Sequence, residues 1–272
     1  MLVAVLIIFG ACQKKISEKI DLSHLDEAQK DKLIERVQDD VNKKRPFQGS
    51  ITHQKKCDTL IALNHNISGA LQEKATPSAK IGDYHLAFPL LEEAANVDAK
   101  DALYYYSWLL LYYFRDYERA LERLNQYDDF TPNQFDVAWG ENVNYLKGLA
   151  YKQLGDYEKA IKEFSKAIED EGSNVDLYAY VYRGIAYFNN DNFNSAIEDF
   201  DTAINEYSNC TTAYYWKGEV LMAVDNKKEA LENYNKALEL LKKGYFKSDS
   251  YMELFDVPVK EQIEDRLKEI EK

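Results

Sequence analysis

The chain has 272 residues, 46% of them apolar and 30% charged, the balance of a folded protein with a sizeable core. Its 34 basic and 47 acidic residues leave a net charge of −13, which repels phosphate backbones and excludes nucleic acid as the partner. Five prolines and eleven glycines are too few for long disordered linkers.

Met1 to Cys12 stands apart from the rest. Leu2 to Phe9 is an unbroken apolar run. It is too short to span a bilayer as a helix and has the length of the apolar region of a signal peptide. Ile8-Phe9-Gly10-Ala11-Cys12 resembles the bacterial lipobox, in which small residues precede the cysteine that becomes lipidated. Phe9 stands where leucine is usual. No Lys or Arg precedes the run, which fits a true start upstream of Met1. The resemblance implies a signal peptide over 1–12, lipidation of Cys12 and a membrane anchor in the bacterial cell envelope. Gln13 after the cysteine points, by the same resemblance, to the outer membrane. A plain secretory signal and an uncleaved apolar tail are the alternatives.

Residues 13–50 read as an N-terminal helix and tether. Ser23-His24-Leu25-Asp26 has capping-box spacing, and Leu25, Ala28, Leu33, Val37 and Val41 follow on one face, which predicts a helix over 23–43. Lys44 to Ser50 is a break. The segment either holds the rest off a membrane or packs as a first helix. Next comes a predicted helix from Cys57 to Lys74, ended by Thr76-Pro77, because the residue before proline is pushed out of helical backbone. Cys57 and Cys210 lie several helices apart. Helix axes pack about 8–10 Å apart and a disulfide needs Cα atoms within about 7 Å, so two separate buried thiols are expected.

Residues 51–257 then carry a repeat, best formed over 141–242. Its most regular mark is a turn: Gly82-Asp83-Tyr84, Arg115-Asp116-Tyr117, Gly155-Asp156-Tyr157, Asp191-Asn192-Phe193 and Asp225-Asn226-Lys227. The central residues are 33, 40, 36 and 34 apart, and an alanine always follows four residues on, at Ala87, Ala120, Ala160, Ala196 and Ala230. Periods of this size mean stacked helical hairpins. Glycine, Asp or Asn ending the first helix tolerates the left-handed cap, and the Asp or Asn that follows caps the next helix. Gly148, Gly184 and Gly218 recur on the first helices. Phe164, Phe200 and Tyr234 recur on the second, followed by Ala167, Ala203 and Ala237. Glycine inside a helix costs about 0.5–1 kcal/mol relative to alanine, so three at matching positions imply close packing.

These residues resemble the tetratricopeptide repeat. Gly148, Tyr151, Gly155, Tyr157, Ala160, Phe164 and Ala167 match its small and aromatic slots. Gly184 to Ala203 matches nearly as well, and Gly218 to Ala237 does so except at Lys227. The resemblance implies an all-α, right-handed solenoid of helical hairpins. The 40-residue step leaves extra residues in an aromatic loop over 127–135, with Trp139 just beyond. The 36-residue step predicts slightly longer helices near Glu169–Asp176. After Gly244 stops the last repeat helix, Pro258 opens a charged helix whose Ile263, Leu267 and Ile270 form a stripe. Residues 258–272 are expected to cap the stack, as solenoids require.

No phosphate loop, zinc-protease motif or nucleophile elbow is present. His53 and Cys57 are one helical turn apart but lack a clear third ligand. The chain is therefore read as non-catalytic, with no cofactor and no metal. In tetratricopeptide arrays the first helices line a groove that takes peptides. The resemblance places there Tyr105, Leu109, Tyr112 and Tyr113; then Asn142, Tyr145, Leu149 and Lys152; then Tyr178, Val181, Ile185 and Phe188; then Thr212, Tyr215, Glu219 and Met222. The alternative for each tyrosine is packing between repeats. The expected function is a protein-interaction scaffold binding a protein segment in the groove. A glycan-binding envelope lipoprotein is the alternative, as is an immunity or assembly factor of a secretion or outer-membrane system.

Overall fold

The computed structural model describes residues 20–44, 46–130, 137–138, 140–249 and 253–270. The lipobox-like stretch with Cys12, residues 131–136 of the aromatic loop, and Trp139 lie outside them. Thirteen α-helices are found among the described residues: α1 (Glu27–Lys44), α2 (Ile51–Ala62), α3 (Ile67–Lys80), α4 (Tyr84–Val97), α5 (Ala99–Tyr112), α6 (Tyr117–Asp128), α7 (Val143–Gln153), α8 (Tyr157–Glu171), α9 (Tyr178–Asn189), α10 (Phe193–Glu206), α11 (Thr211–Ala223), α12 (Lys227–Lys242) and α13 (Lys260–Ile270). The chain divides into two compact units, Met1–Leu109 and Leu110–Lys272.

In the first unit, Ser50 caps α2 by accepting the His53 N–H at 3.2 Å. Asn64 and Asn66 then take left-handed backbone, at φ 55° and 43°. Asparagine tolerates that conformation, so the helix predicted from Cys57 to Lys74 is split there. Nor does Thr76-Pro77 end a helix: α3 runs through Pro77 to Lys80. Proline there lacks the N–H that would bond the Glu73 carbonyl and costs about 3 kcal/mol. Burial of Ala70, Leu71, Ala75 and Ala79 on the same helix offsets it. The Thr76 hydroxyl meanwhile donates to the Gln72 carbonyl at 2.8 Å.

Cys57 and Cys210 are both buried and free. Burial, with Glu73 and Asp58 nearby, pushes the Cys57 thiol up to about 12, and burial raises Cys210 as well. Since the thiolate is the reactive form, iodoacetamide at neutral pH is expected to spare both in the folded chain and to modify both in denaturant. Peptide mass spectrometry reads the outcome. Fast native labelling of Cys57 would show that α2 opens on its own.

The second unit shows how the repeat works. In each turn one residue is left-handed: Arg115 at φ 54°, Gly155 at 79°, Asp191 at 57° and Asp225 at 58°. The next residue caps the following helix. The side chains of Asp116, Asp156, Asn192 and Asn226 accept the backbone N–H of Arg119, Lys159, Ser195 and Glu229 at 3.1, 3.3, 3.4 and 3.5 Å. The three helical glycines make room for the aromatics of the paired helix. A Cβ on Gly148, Gly184 or Gly218 would lie 2.8, 2.8 or 2.6 Å from the ring of Phe164, Phe200 or Tyr234. The alanines at 160, 196 and 230 and at 167, 203 and 237 are all fully buried.

One element is new and one local expectation is corrected. Part of the extra length before α7 forms a two-stranded antiparallel hairpin, β1 (Val137–Ala138) and β2 (Glu141–Asn142), turning at Gly140 with φ 85°. Glu169–Asp176 does not simply lengthen the helices: α8 stops at Glu171, and Gly172–Asn174 forms a 3-10 turn. At the far end α13 packs on α12. Ile263 joins a cluster with Tyr215, Leu221, Ala230, Tyr234 and Ala237, and Leu267 and Ile270 lean on it.

Candidate peptide-binding face

A face of the second unit is built from one helix of each hairpin. α7 supplies Lys152, α9 supplies Tyr182, and α11 supplies Trp216. The end of α5 and the turn after it supply Tyr112 and Arg115. Tyr182 and Trp216 are 34 residues apart, the same slot of successive repeats.

Residues 253–258, in the connection between α12 and α13, lie on this face without regular secondary structure of their own. Three backbone carbonyls of the segment are bonded by side chains from three places in the stack. Arg115 donates to the Glu253 carbonyl. The Tyr182 hydroxyl donates to that of Phe255 at 3.2 Å, and the Trp216 indole N–H to that of Asp256 at 2.9 Å. The Phe255 ring, 5% exposed, stacks on Tyr112 with centroids 5.6 Å apart. Tyr117 lies 6.2 Å away, and the Arg115 guanidinium sits 4.2 Å from the ring centre. Asp256 pairs with Lys152, whose side chain is 4% exposed against 23% for the aspartate.

The electrostatics follow from burial. It pulls the Lys152 ammonium below the ordinary lysine value, and the Asp256 carboxylate opposes that. Burial also holds the Tyr112 and Tyr182 phenols well above their ordinary range, helped by Glu141 near Tyr112 and Asp256 near Tyr182. Both stay neutral, and Tyr112 donates to Glu141 at 3.0 Å.

The residues assigned to the groove fall into four places. Tyr112 and Lys152 lie under the segment. Leu149, Val181, Ile185 and Thr212 are fully buried or nearly so, and Tyr145 packs between repeats, 5.9 Å from Phe164 and 6.1 Å from Tyr182. Others serve ends and edges. The Asn142 side chain caps α7, accepting from Asn144 and Tyr145. Tyr178 has Lys247 4.0 Å over its ring, and Phe188 is half-buried beside Trp216 at 6.2 Å. Glu219 holds Arg266 of α13 through two bonds of 2.8 Å and accepts from Tyr234 at 2.7 Å. Tyr215 and Met222 pack in the same capping cluster. Tyr113 is half-buried in the second unit. Tyr105 and Leu109 belong to the first unit, where Tyr105 stacks on Trp108 at 6.1 Å.

Sequence reasoning passed over Arg115, Tyr182, Trp216 and the segment that they hold. Arg115 carried a signal: it stands where Gly155 stands in the next hairpin, and a bulky residue in left-handed backbone asks for a reason. The His53 Nδ1 and Cys57 Sγ are 3.8 Å apart, and no group of three or more metal-ligating side chains occurs among the described residues.

Stacked helical hairpins with left-handed turns, capped starts and glycine–aromatic contacts define an all-α repeat protein. Residues 141–169 and 183–244 match tetratricopeptide repeat families, and these stretches are tetratricopeptide repeats. Tetratricopeptide repeat protein 12 of Homo sapiens is 28% identical over 112 residues, 41% of this chain and 16% of that protein. The chain thus matches only a small part of that relative's length. Among solved structures, MamA 41-end from Desulfovibrio magneticus RS-1 is similar at 21% identity and a TM-score of 0.56, covering 65% of this chain and 96% of that one. MamA MSR-1 is similar at 22% identity and a TM-score of 0.53, covering 65% and 98%. At these identities the likeness is one of fold.

Proposed function

We propose that the protein is a non-catalytic interaction scaffold that takes a protein segment on the face formed by α7, α9 and α11. One observation carries this reading: the face already holds a non-helical segment of the chain, turned at Phe255–Asp256, by three bonds to its main-chain carbonyls and two side-chain slots. Main-chain bonds of this kind give affinity, and the slots give selectivity. A peptide fits better than a sugar. Stacking on a sugar needs open rings, whereas Tyr112, Tyr145, Tyr178 and Tyr215 are 5, 5, 8 and 8% exposed. Lipid attachment at Cys12 and an envelope location belong to the same proposal and rest on the lipobox-like residues 8–12.

The test is selection of a random-peptide display library on the full chain. Selected peptides are expected to lose about tenfold in affinity when Tyr182→Phe and Trp216→Phe are added to a chain whose own segment is weakened by Phe255→Ser and Asp256→Ser, since each lost hydrogen bond is worth about 0.5–1.5 kcal/mol. Unchanged helix content by circular dichroism guards the comparison. Selection of no peptide, together with binding on a glycan array, would move the assignment to sugars. The anchor has its own check: Cys12→Ala should release the protein from membranes, and a variant that still sediments with them would refute lipidation.

A further inference from the structure

We propose that this face is a site for an aromatic residue followed by an aspartate, and that the chain's own Leu254–Val257 is its resident occupant, which a partner protein bearing the same pair must displace. The inference rests on the scaffold reading and gives it a ligand chemistry.

The site has two parts side by side. Tyr112, Tyr117 and the Arg115 guanidinium enclose one ring, an arrangement that favours an aromatic over an aliphatic side chain because the cation meets the ring face. Next to it Lys152 offers a single ammonium from a buried side chain, with its Nζ 5.3 Å from the Tyr182 ring centre and 5.6 Å from that of Phe255. A buried cation needs a counter-charge, so the second part requires an acid. Arg115, Tyr182 and Trp216 bond only main-chain carbonyls, which any segment that makes the same turn provides.

The resident segment is suited to leaving. It belongs to a connection and to no helix of the repeat. Phe255 and Asp256 form a turn, with Asp256 at φ 57° in the left-handed backbone that aspartate tolerates, so the segment can keep its turn without a helix or strand around it. Departure would not unseat the cap: Ile263 is buried in the capping cluster, and Arg266 grips Glu219 independently of residues 253–258. Because the segment is tethered, its local concentration at the site is about millimolar, so it masks the face against weak ligands.

The test uses the synthetic peptide Glu-Leu-Phe-Asp-Val-Pro and the full chain. A Phe255→Ser, Asp256→Ser variant, with its own occupant weakened, is expected to bind the peptide at least about tenfold more tightly than the unaltered chain. A peptide with Asn for Asp should lose most of that affinity. Hydrogen–deuterium exchange on the unaltered chain is the second readout and needs no variant: saturating peptide should speed exchange at 253–258 and leave α13 protected. Equal affinity for both chains, indifference to the Asp-to-Asn change, or no added exchange at 253–258 would overturn the proposal. If library peptides without an aromatic–acidic pair are selected while this peptide fails, the scaffold reading survives and the ligand chemistry falls. If neither binds, both fall.

Discussion

Replacing Arg183 by Met is expected to cost about 3 kcal/mol of stability at neutral pH, and progressively less in acid. Arg183 on α9 grips Asp199 on α10 with two bonds of 2.8 and 2.7 Å and reaches Ser165 on α8 at 3.0 Å. The two charged side chains are 18% and 7% exposed. Removing one member of a buried pair strands the other, at about 3–5 kcal/mol; the partial exposure of the site puts the effect at the low end. The pH dependence follows from Asp199. Burial raises its carboxyl above the ordinary aspartate value, and Arg183 opposes that. Without the arginine the raising causes, burial and then Glu198, act alone. An acid whose folded value lies above its unfolded value loses stability as pH rises from the unfolded value through the folded one. The variant's deficit is therefore full at neutral pH and shrinks below the folded value, where the carboxyl is neutral. Urea melts across the acid range would read it, and a deficit that stays constant with pH would assign the loss to packing.

Phe200→Ala should cost about 3–5 kcal/mol, the range for emptying a fully buried aromatic site. The companion change is Gly184→Ala. On an open helix surface it would gain about 0.5–1 kcal/mol. Here the added Cβ would lie 2.8 Å from Phe200 Cε1, inside contact distance. Overpacking costs about 1–3 kcal/mol, so the clash outweighs the helix propensity and the sign turns unfavourable. Combining Gly184→Ala with Phe200→Leu should cost less than the two single changes summed, because the smaller side chain gives back the space. Strict additivity would show that the glycine does not serve the aromatic. The same logic applies to Gly148 with Phe164 and to Gly218 with Tyr234.

The parts of the fold that could be read from the residues are those fixed by local chemistry. A left-handed helix end, a side-chain cap and an alanine four residues later each leave a mark at a set offset, and all four turns of the second unit obey it. Another repeated mark went unread. Lys147, Arg183 and Lys217 each precede a helical glycine, and each pairs with an aspartate: Asp128, Asp199 and Asp201. Local rules misled where tertiary burial outweighed them, as at Pro77 in α3. The site was half legible. Tyr112 and Lys152 occupy repeat slots, so the family pattern points at them. Phe255 and Asp256 occupy none. What places them is a set of contacts with Tyr112, Lys152, Tyr182 and Trp216, far upstream, that no periodicity announces.

The same contacts change how the second unit should come apart. In an ordinary helical array each repeat touches only its neighbours, so an end can fray while the middle survives. Here hydrogen bonds join residues 138, 104, 73 and 40 positions apart, from Arg115–Glu253 to Trp216–Asp256. Loss of the first turn of the unit or of its last helices breaks part of that set. Residues 253–258 thus act as a tie-rod that turns a string of neighbours into a single cooperative body. While the tie is in place, unfolding intermediates with one end melted should be scarce.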